Sequence, residues 1–350
     1  MKRKGRGLFV VCAVSLAVTA LLLGGCLFQK PNHPPVAAFE VVPDEGYVPL
    51  PVRFDASGSY DPDGDPITYE WDFGDGGSSS EPKVVHTYAE GVYTASLHVT
   101  DPDGLSDTAT AVITVRPIPE GYRLHRYEWT YEGEVQRWDV LVTEYLYQTY
   151  RGRIRTPFLD NYQYRDYVID SLDDPTIEDL AGELWNRVGK DPMGFAEYTL
   201  GFVQGAILYR EDPAGAEWPL YPLETLVDGV GDCEDTAILY VSFLRAEGIP
   251  CKLAFVDTDG DTLPDHTLAL VRVDPEYVSE IVCTGGERVT VLPFGDELYA
   301  VVETATDSAS LRLGCDPWGL AVDDLVEVWS FQVAVGRKAG YISRVRLERS

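Results

Sequence analysis

Positive charge is scarce in this chain. Twenty-eight lysines and arginines stand against 57 aspartates and glutamates in 350 residues, a formal net charge of −29. That balance argues against nucleic acid or an anionic bilayer surface as a partner, since both are held by clustered cations. Histidine is scarcer still, with five in the whole chain. The six cysteines include no CxxC pair and none with two histidines nearby, so no zinc-type ligand set is legible. Apolar material is not lacking. Hydrophobic residues make up 45% and aromatics 11%, which excludes wholesale disorder and leaves enough for a substantial core. The length predicts two or three domains.

Residues 1–25 are not expected to join the fold. Lys2, Arg3, Lys4 and Arg6 precede the apolar run 8-LFVVCAVSLAVTALLL-23, which ends in 23-LGGC-26. Small residues followed by a cysteine resemble a lipobox, which implies lipidation of Cys26 and cleavage just before it. The alternative is an uncleaved signal anchor, because the run is near the lower length limit for a spanning helix. Both readings place the rest of the chain outside the cytoplasm, tied to a membrane. Residues 26–34 form a Pro-rich tether. In such a compartment the remaining cysteines, Cys233, Cys251, Cys283 and Cys315, pair by default. If one must stay free to react, one disulfide remains, and Cys283 with Cys315, both close to glycine in loops, is the expected pair.

From 35 to 116 the chain alternates in strand-sized runs separated by Gly, Pro, Asp and Ser turns, the pattern of an all-β sandwich. Trp71 and Phe73 alternate with Asp72 along one such strand, and Gly74-Asp75-Gly76 turns the chain. The stretches 54-FDASGSYDPDGDPITYEWDFGDG-76 and 86-HTYAEGVYTASLHVTDPDG-104 resemble a PKD domain. That resemblance implies an immunoglobulin-like sandwich acting as a spacer, or as a carbohydrate- or protein-binding module.

Residues 117–172 are expected to be linker strands with a short helix at 144–153. The aromatics Tyr127, Trp129, Tyr131, Trp138, Tyr145, Tyr147 and Tyr150 are ascribed to a packing face ahead of a substrate groove. Helical periodicity follows at 173–189, with Ile177, Leu180, Leu184 and Val188 on one stripe. It recurs at 192–209, where the stripe is Phe195, Tyr198, Phe202, Ala206 and Tyr209. Strands are expected at 251–257, 266–273, 278–283 and 298–305, and helices before strands predict an α+β domain over 173–350. The stretch 318–350 mixes helix-like and strand-like signals and is assigned no role.

The chemistry centres on 229-GVGDCEDTAILYVSFLRAEG-248. Gly229 and Gly231 imply a turn that sets Cys233 at the start of an apolar helix, where the dipole and first-turn N–H groups favour an anion. Glu234 and Asp235 oppose thiolate formation there. His266 heads a later strand and is the one histidine of this region, a candidate base. Glu303 is an acid in an apolar run that needs a donor, and an imidazole Nδ1–H would serve. The stretch from Tyr221 to Phe255, with 265-DHTLALV-271 and 299-YAVVETA-305, resembles the transglutaminase-like superfamily, a papain-related cysteine-enzyme fold. The resemblance implies Cys233 as nucleophile, His266 as base and Glu303 as orienting acid, where the family usually has Asp. Gln204 is a candidate oxyanion donor, with a plain surface-polar glutamine as the alternative.

The loop 257-DTDGDTLPD-265 spaces Asp257, Asp259, Asp261 and Asp265 as short loops do around calcium, though with Gly earlier than in an EF-hand and no closing Glu. A solvated acidic turn is the equal alternative. The turn 61-DPDGDP-66 is expected to be Asx-rich rather than metal-binding. The sequence thus predicts a membrane-anchored extracellular cysteine enzyme acting on protein or peptide amides, with hydrolysis preferred. Crosslinking, or a non-catalytic adhesion or scaffold role, are the alternatives. No cofactor is required, and calcium is the one ion the pattern suggests.

Overall fold

A computed structural model describes residues 31–153, 165–168, 175–212, 219–258, 264–283, 287–305, 312–331 and 342–346. Cys26 with the leader, and Asp259 and Asp261, lie outside the described residues. The chain divides into two compact units, 1–117 and 118–350.

The first unit is a sandwich of two sheets. One has the strand order Glu40–Val42, Leu50–Asp55, Lys83–Tyr88. The other runs Glu45–Tyr47, Ser106–Arg116, Gly91–Thr100, Thr68–Asp72, Ser78–Ser79. Alternation sorts the side chains: in Leu50–Asp55 the leucine, Val52 and Phe54 are buried while Pro51 and Arg53 face out. Trp71, Phe54, Phe73, Tyr88 and Leu97 fill the space between the sheets. Trp71 gives its indole N–H to the Glu81 carbonyl at 2.9 Å, so its one polar atom is satisfied. Truncation of this fully buried side chain to alanine would cost about 3–5 kcal/mol. The turn after it needs glycine. Gly74 has φ +79°, and a Cβ there would meet the Thr94 carbonyl oxygen at 2.5 Å. In 61-DPDGDP-66 the Asp61 carboxylate accepts the Asp63 N–H at 2.7 Å, an Asx turn.

The second unit is built on a six-stranded antiparallel sheet. Its order is Val291–Phe294, Glu297–Val302, His266–Val273, Cys251–Val256, Leu325–Phe331, Ile342–Arg346. Every residue of Cys251–Val256 is buried, because this strand is covered on both faces. Cys251, Leu253 and Phe255 pack with the helix Cys233–Ala246 in one cluster, while Ala254 and Val256 join a second cluster with Leu268, Leu270 and Tyr299. The helices Pro175–Arg187 and Pro192–Ala206 contribute to the first cluster.

Residues 118–153 belong to this same unit. Tyr122–Tyr131 and Glu134–Thr143 form a hairpin, and Glu144–Arg151 a helix capped by Thr143. The aromatic stripe is packing: Tyr127, Trp129 and Trp138 meet Phe202 edge-on at 5.1–5.2 Å.

Three local expectations are corrected. The helix expected to reach Tyr209 ends at Ala206, because Leu208–Tyr209 pairs in parallel with Val230–Gly231, and that pairing overrides helical periodicity. The strand expected at 278–283 is absent. Pro275, after Asp274, starts a four-residue helix, Pro275–Val278, with turns behind it. The unassigned tail supplies the strands Leu325–Phe331 and Ile342–Arg346 that complete the sheet.

Candidate active site

The approach to Cys233 is set by two glycines with different work. Gly229 closes the helix Pro222–Asp228 in the left-handed region, φ +67°, with its N–H on the Thr225 carbonyl at 3.0 Å. Gly231 is a close-approach residue, since a Cβ there would meet the Cβ of Asp235 at 2.6 Å. Asp232 then caps the helix Cys233–Ala246, its carboxylate accepting the Asp235 N–H. The chain therefore has one way to enter the helix, and Cys233 is its first residue.

Cys233 is a free, half-buried thiol. Its S–H donates to the Glu234 carboxylate at 3.2 Å, and the Thr267 main-chain N–H is near enough to favour the anion weakly. Burial, then the Glu234 charge and hydrogen bond, then Asp232 push the thiol well above its usual value. Burial, with the acidic first turn behind it, thus keeps the resting group a thiol.

His266 begins the strand His266–Val273, one residue before Thr267, whose N–H bears on the sulfur. Its Nε2 lies 2.7 Å from Oε2 of Glu303. The pair is enclosed, with side-chain exposures of 14% and 1%. The sequence reading put Nδ1 against the acid; the structure puts Nε2 there. A carboxylate acceptor at Nε2 keeps the proton on that nitrogen and leaves Nδ1 with the lone pair. Glu303 is fully engaged. Oε1 accepts the Ala305 N–H at 2.6 Å, and its main-chain oxygen accepts Nε2 of Gln204 at 2.7 Å. Gln204 is buried and braces the acid. Thr304, next to it, shares a 3.0 Å hydroxyl contact with Thr236 of the cysteine helix, tying the acid's strand to the helix tip.

Two residues here had no sequence assignment. The indole of Trp318 lies against the His266 ring, centroids 4.6 Å apart, with 44% of the residue exposed. Buried Asp316 holds it there by accepting the Trp318 and Leu320 N–H groups at 2.8 and 2.5 Å. Cys283 and Cys315 form a disulfide beside Asp316. No periodicity signals these residues; their one sequence mark is the cysteine two positions before a Pro-Trp-Gly turn.

Among the described residues, Asp212, Asp232 and Glu234 bring carboxylate oxygens within 4.8 Å of one another beside the sulfur. In the 257–265 loop, Asp265 gives both oxygens to Thr258, accepting its N–H at 2.9 Å and its hydroxyl at 2.8 Å. Asp257 is buried and donates its N–H to the Asp324 carbonyl at 3.1 Å.

Residues 32–115 match the model of the PKD domain, and residues 182–284 match that of the transglutaminase-like superfamily. The chain therefore carries a β-sandwich PKD domain followed by an α+β transglutaminase-like domain. The second match includes Cys233 and His266 and ends before Glu303 and Trp318. A 75-residue stretch is 42% identical to a microbial collagenase of Vibrio alginolyticus; it is 21% of this chain and 9% of that entire protein. The PKD1 domain of Vibrio anguillarum Epp is 37% identical and matches over 25% of this chain and 100% of its own, with a TM-score of 0.21. Red sea bream transglutaminase aligns over 78% of this chain and 51% of its own, at 13% identity and a TM-score of 0.25.

Proposed function

We propose that the second unit is a thiol acyltransferase of the cell exterior that cleaves protein or peptide amides, with Cys233 as nucleophile, His266 as base and Glu303 as orienting acid. The observation that carries this is the 2.7 Å His266–Glu303 pair, followed directly by Thr267, whose main-chain N–H bears on the Cys233 sulfur at a helix N-terminus. Because the resting thiol is protonated, the sulfur attacks as His266 Nδ1 takes its proton. A carbon–sulfur bond forms and the developing oxyanion draws on the main-chain N–H groups at the helix start. The carbon–nitrogen bond then breaks, and the imidazolium returns the proton to the leaving nitrogen. A thioester remains. Water, deprotonated by the same imidazole, releases the acid and restores the thiol.

Hydrolysis is favoured over transfer to an amine because Cys233 is not closed off from solvent as a residue, and amine transfer requires a site that excludes water. An exterior location is supported by the leader pattern, by the disulfide and by the PKD domain with its similarity to a collagenase segment. Attachment through a lipid on Cys26 is part of the proposal.

Mass spectrometry of the chain quenched during turnover of a glutamine- or arginine-containing peptide amide panel tests it. An acyl adduct on Cys233 is expected, formed roughly 10²- to 10⁴-fold more slowly in His266→Ala. Equal adduct formation in both proteins, or none from any peptide, would sink the reading. Added primary amine that diverts product from acid to amide would replace hydrolysis with crosslinking.

A further inference from the structure

The indole against His266 is not an incidental neighbour, because three separate features converge to put it there. Asp316 is fully buried and spends both carboxylate oxygens on the turn that carries Trp318. The strand Cys315–Asp316 pairs with Arg288–Val289, and Cys315 is bonded to Cys283. Gly314, just before, donates its N–H to the Val301 carbonyl at 2.8 Å, on the strand that leads to Glu303. One short segment therefore touches both partners of the pair, the acid through its strand and the imidazole through the indole.

We propose that Trp318 is a positioning residue for the His266–Glu303 pair, and that the Cys283–Cys315 disulfide, through Asp316, fixes it in place. The indole, tilted at 53° against the imidazole, fills the space beside the ring and narrows its rotation, so Nδ1 keeps one direction. A buried carboxylate holding two N–H groups cannot shift without leaving them unpaired, which makes the turn rigid as long as its strand is anchored. The consequence for activity rests on the acyl-transfer reading; the geometry does not.

The test uses the whole chain with histidine ¹³C-labelled at Cε1, the His266 signal being assigned by its loss in His266→Asn. In the wild type the indole ring current displaces this signal. Trp318→Ala should move it toward the position of a solvated imidazole, and Trp318→Phe should restore most of the displacement. Cys283→Ser/Cys315→Ser should reproduce the Trp318→Ala position; if that variant does not fold, dithiothreitol reduction of the folded wild type, which leaves two thiols and oxidised reagent, takes its place. In turnover, Trp318→Ala should lower kcat on the order of 10-fold with a smaller change in KM. An unmoved signal in Trp318→Ala overturns the positioning role. An unmoved signal after verified loss of the disulfide overturns the anchor. A wild type that forms no acyl adduct sinks the acyl-transfer reading alone, and the signal still decides the positioning claim.

Discussion

Each unit of this chain holds an imidazole–carboxylate pair packed against an aromatic ring, stacked in the first unit and tilted at 53° in the second. In the sandwich, His86 Nε2 lies 2.7 Å from Asp75, and its ring lies 4.2 Å from Phe73. In the second unit, His266 Nε2 lies 2.7 Å from Glu303, and its ring lies 4.6 Å from Trp318. The pairs differ in their surroundings. His86 and Asp75 are each 23% exposed, and His86 reaches from the strand Lys83–Tyr88 to the turn of Asp75, which also accepts the Gly77 N–H. No cysteine occurs among the described residues of that unit. Glu303 is 1% exposed, and Thr267, the residue after His266, bears on a sulfur at a helix tip. Hydrogen bond and aromatic neighbour are thus shared by a turn staple and a candidate catalytic pair. What separates them is the nearby thiol and the loss of solvent.

The comparison breaks most visibly at the sulfur. Cys233→Ser should abolish turnover, a loss on the order of 10³-fold or more, with the fold intact by circular dichroism. Next comes the direct exchange of the two histidines. His266→Ala should lose roughly 10²- to 10⁴-fold in kcat/KM, whereas His86→Ala should leave kcat/KM within about 2-fold. Equal losses at both would mean that the two pairs are alike after all. A smaller effect is expected from Glu303→Gln, roughly 10- to 10²-fold in kcat, since the amide oxygen can still accept the Nε2 proton while the negative charge is gone.

Much of this contrast was legible before any coordinates. The sandwich could be read because its residues alternate at a period of two, with glycine at the one turn that demands it. Cys233, His266 and Glu303 could be read because each is chemically out of place: a thiol after a glycine turn, a lone histidine, an acid in an apolar strand. Trp318 and Asp316 could not. Their role comes from a buried cap and a disulfide closing over long sequence distances, and neither leaves a periodic trace. The imidazole nitrogen was misassigned for a related reason, since His266 and Glu303 meet only through the pairing of their two strands, which the sequence does not display. The helix that stopped at Ala206 shows the same limit, a local period overruled by a distant strand partner.

The smallest effect sharpens the comparison furthest, because the two sites respond to opposite ends of the pH scale. Against the desolvation that would raise it, the His86 hydrogen bond and charge hold Asp75 below the usual carboxylate range. A group depressed in the folded state contributes stability above its unfolded value, about 3.9, and loses it as pH falls through the folded value. His86→Ala should therefore lower stability by up to about 1 kcal/mol at neutral pH, and the difference from wild type should shrink as the solution is acidified. Cys233 has the opposite sign. Its raised value means that the folded state favours the neutral thiol, so the contribution is whole below the unfolded thiol value, about 8.5, and is lost as pH rises through the folded one. Cys233→Ser removes that titration, so its stability relative to wild type should improve on going from neutral to alkaline pH. Denaturant melts of both variants at matched pH, followed separately for each unit, measure the two slopes. Slopes of the same sign would mean that the folded state does not favour the neutral thiol, and the requirement for His266 to take its proton during attack would go with it.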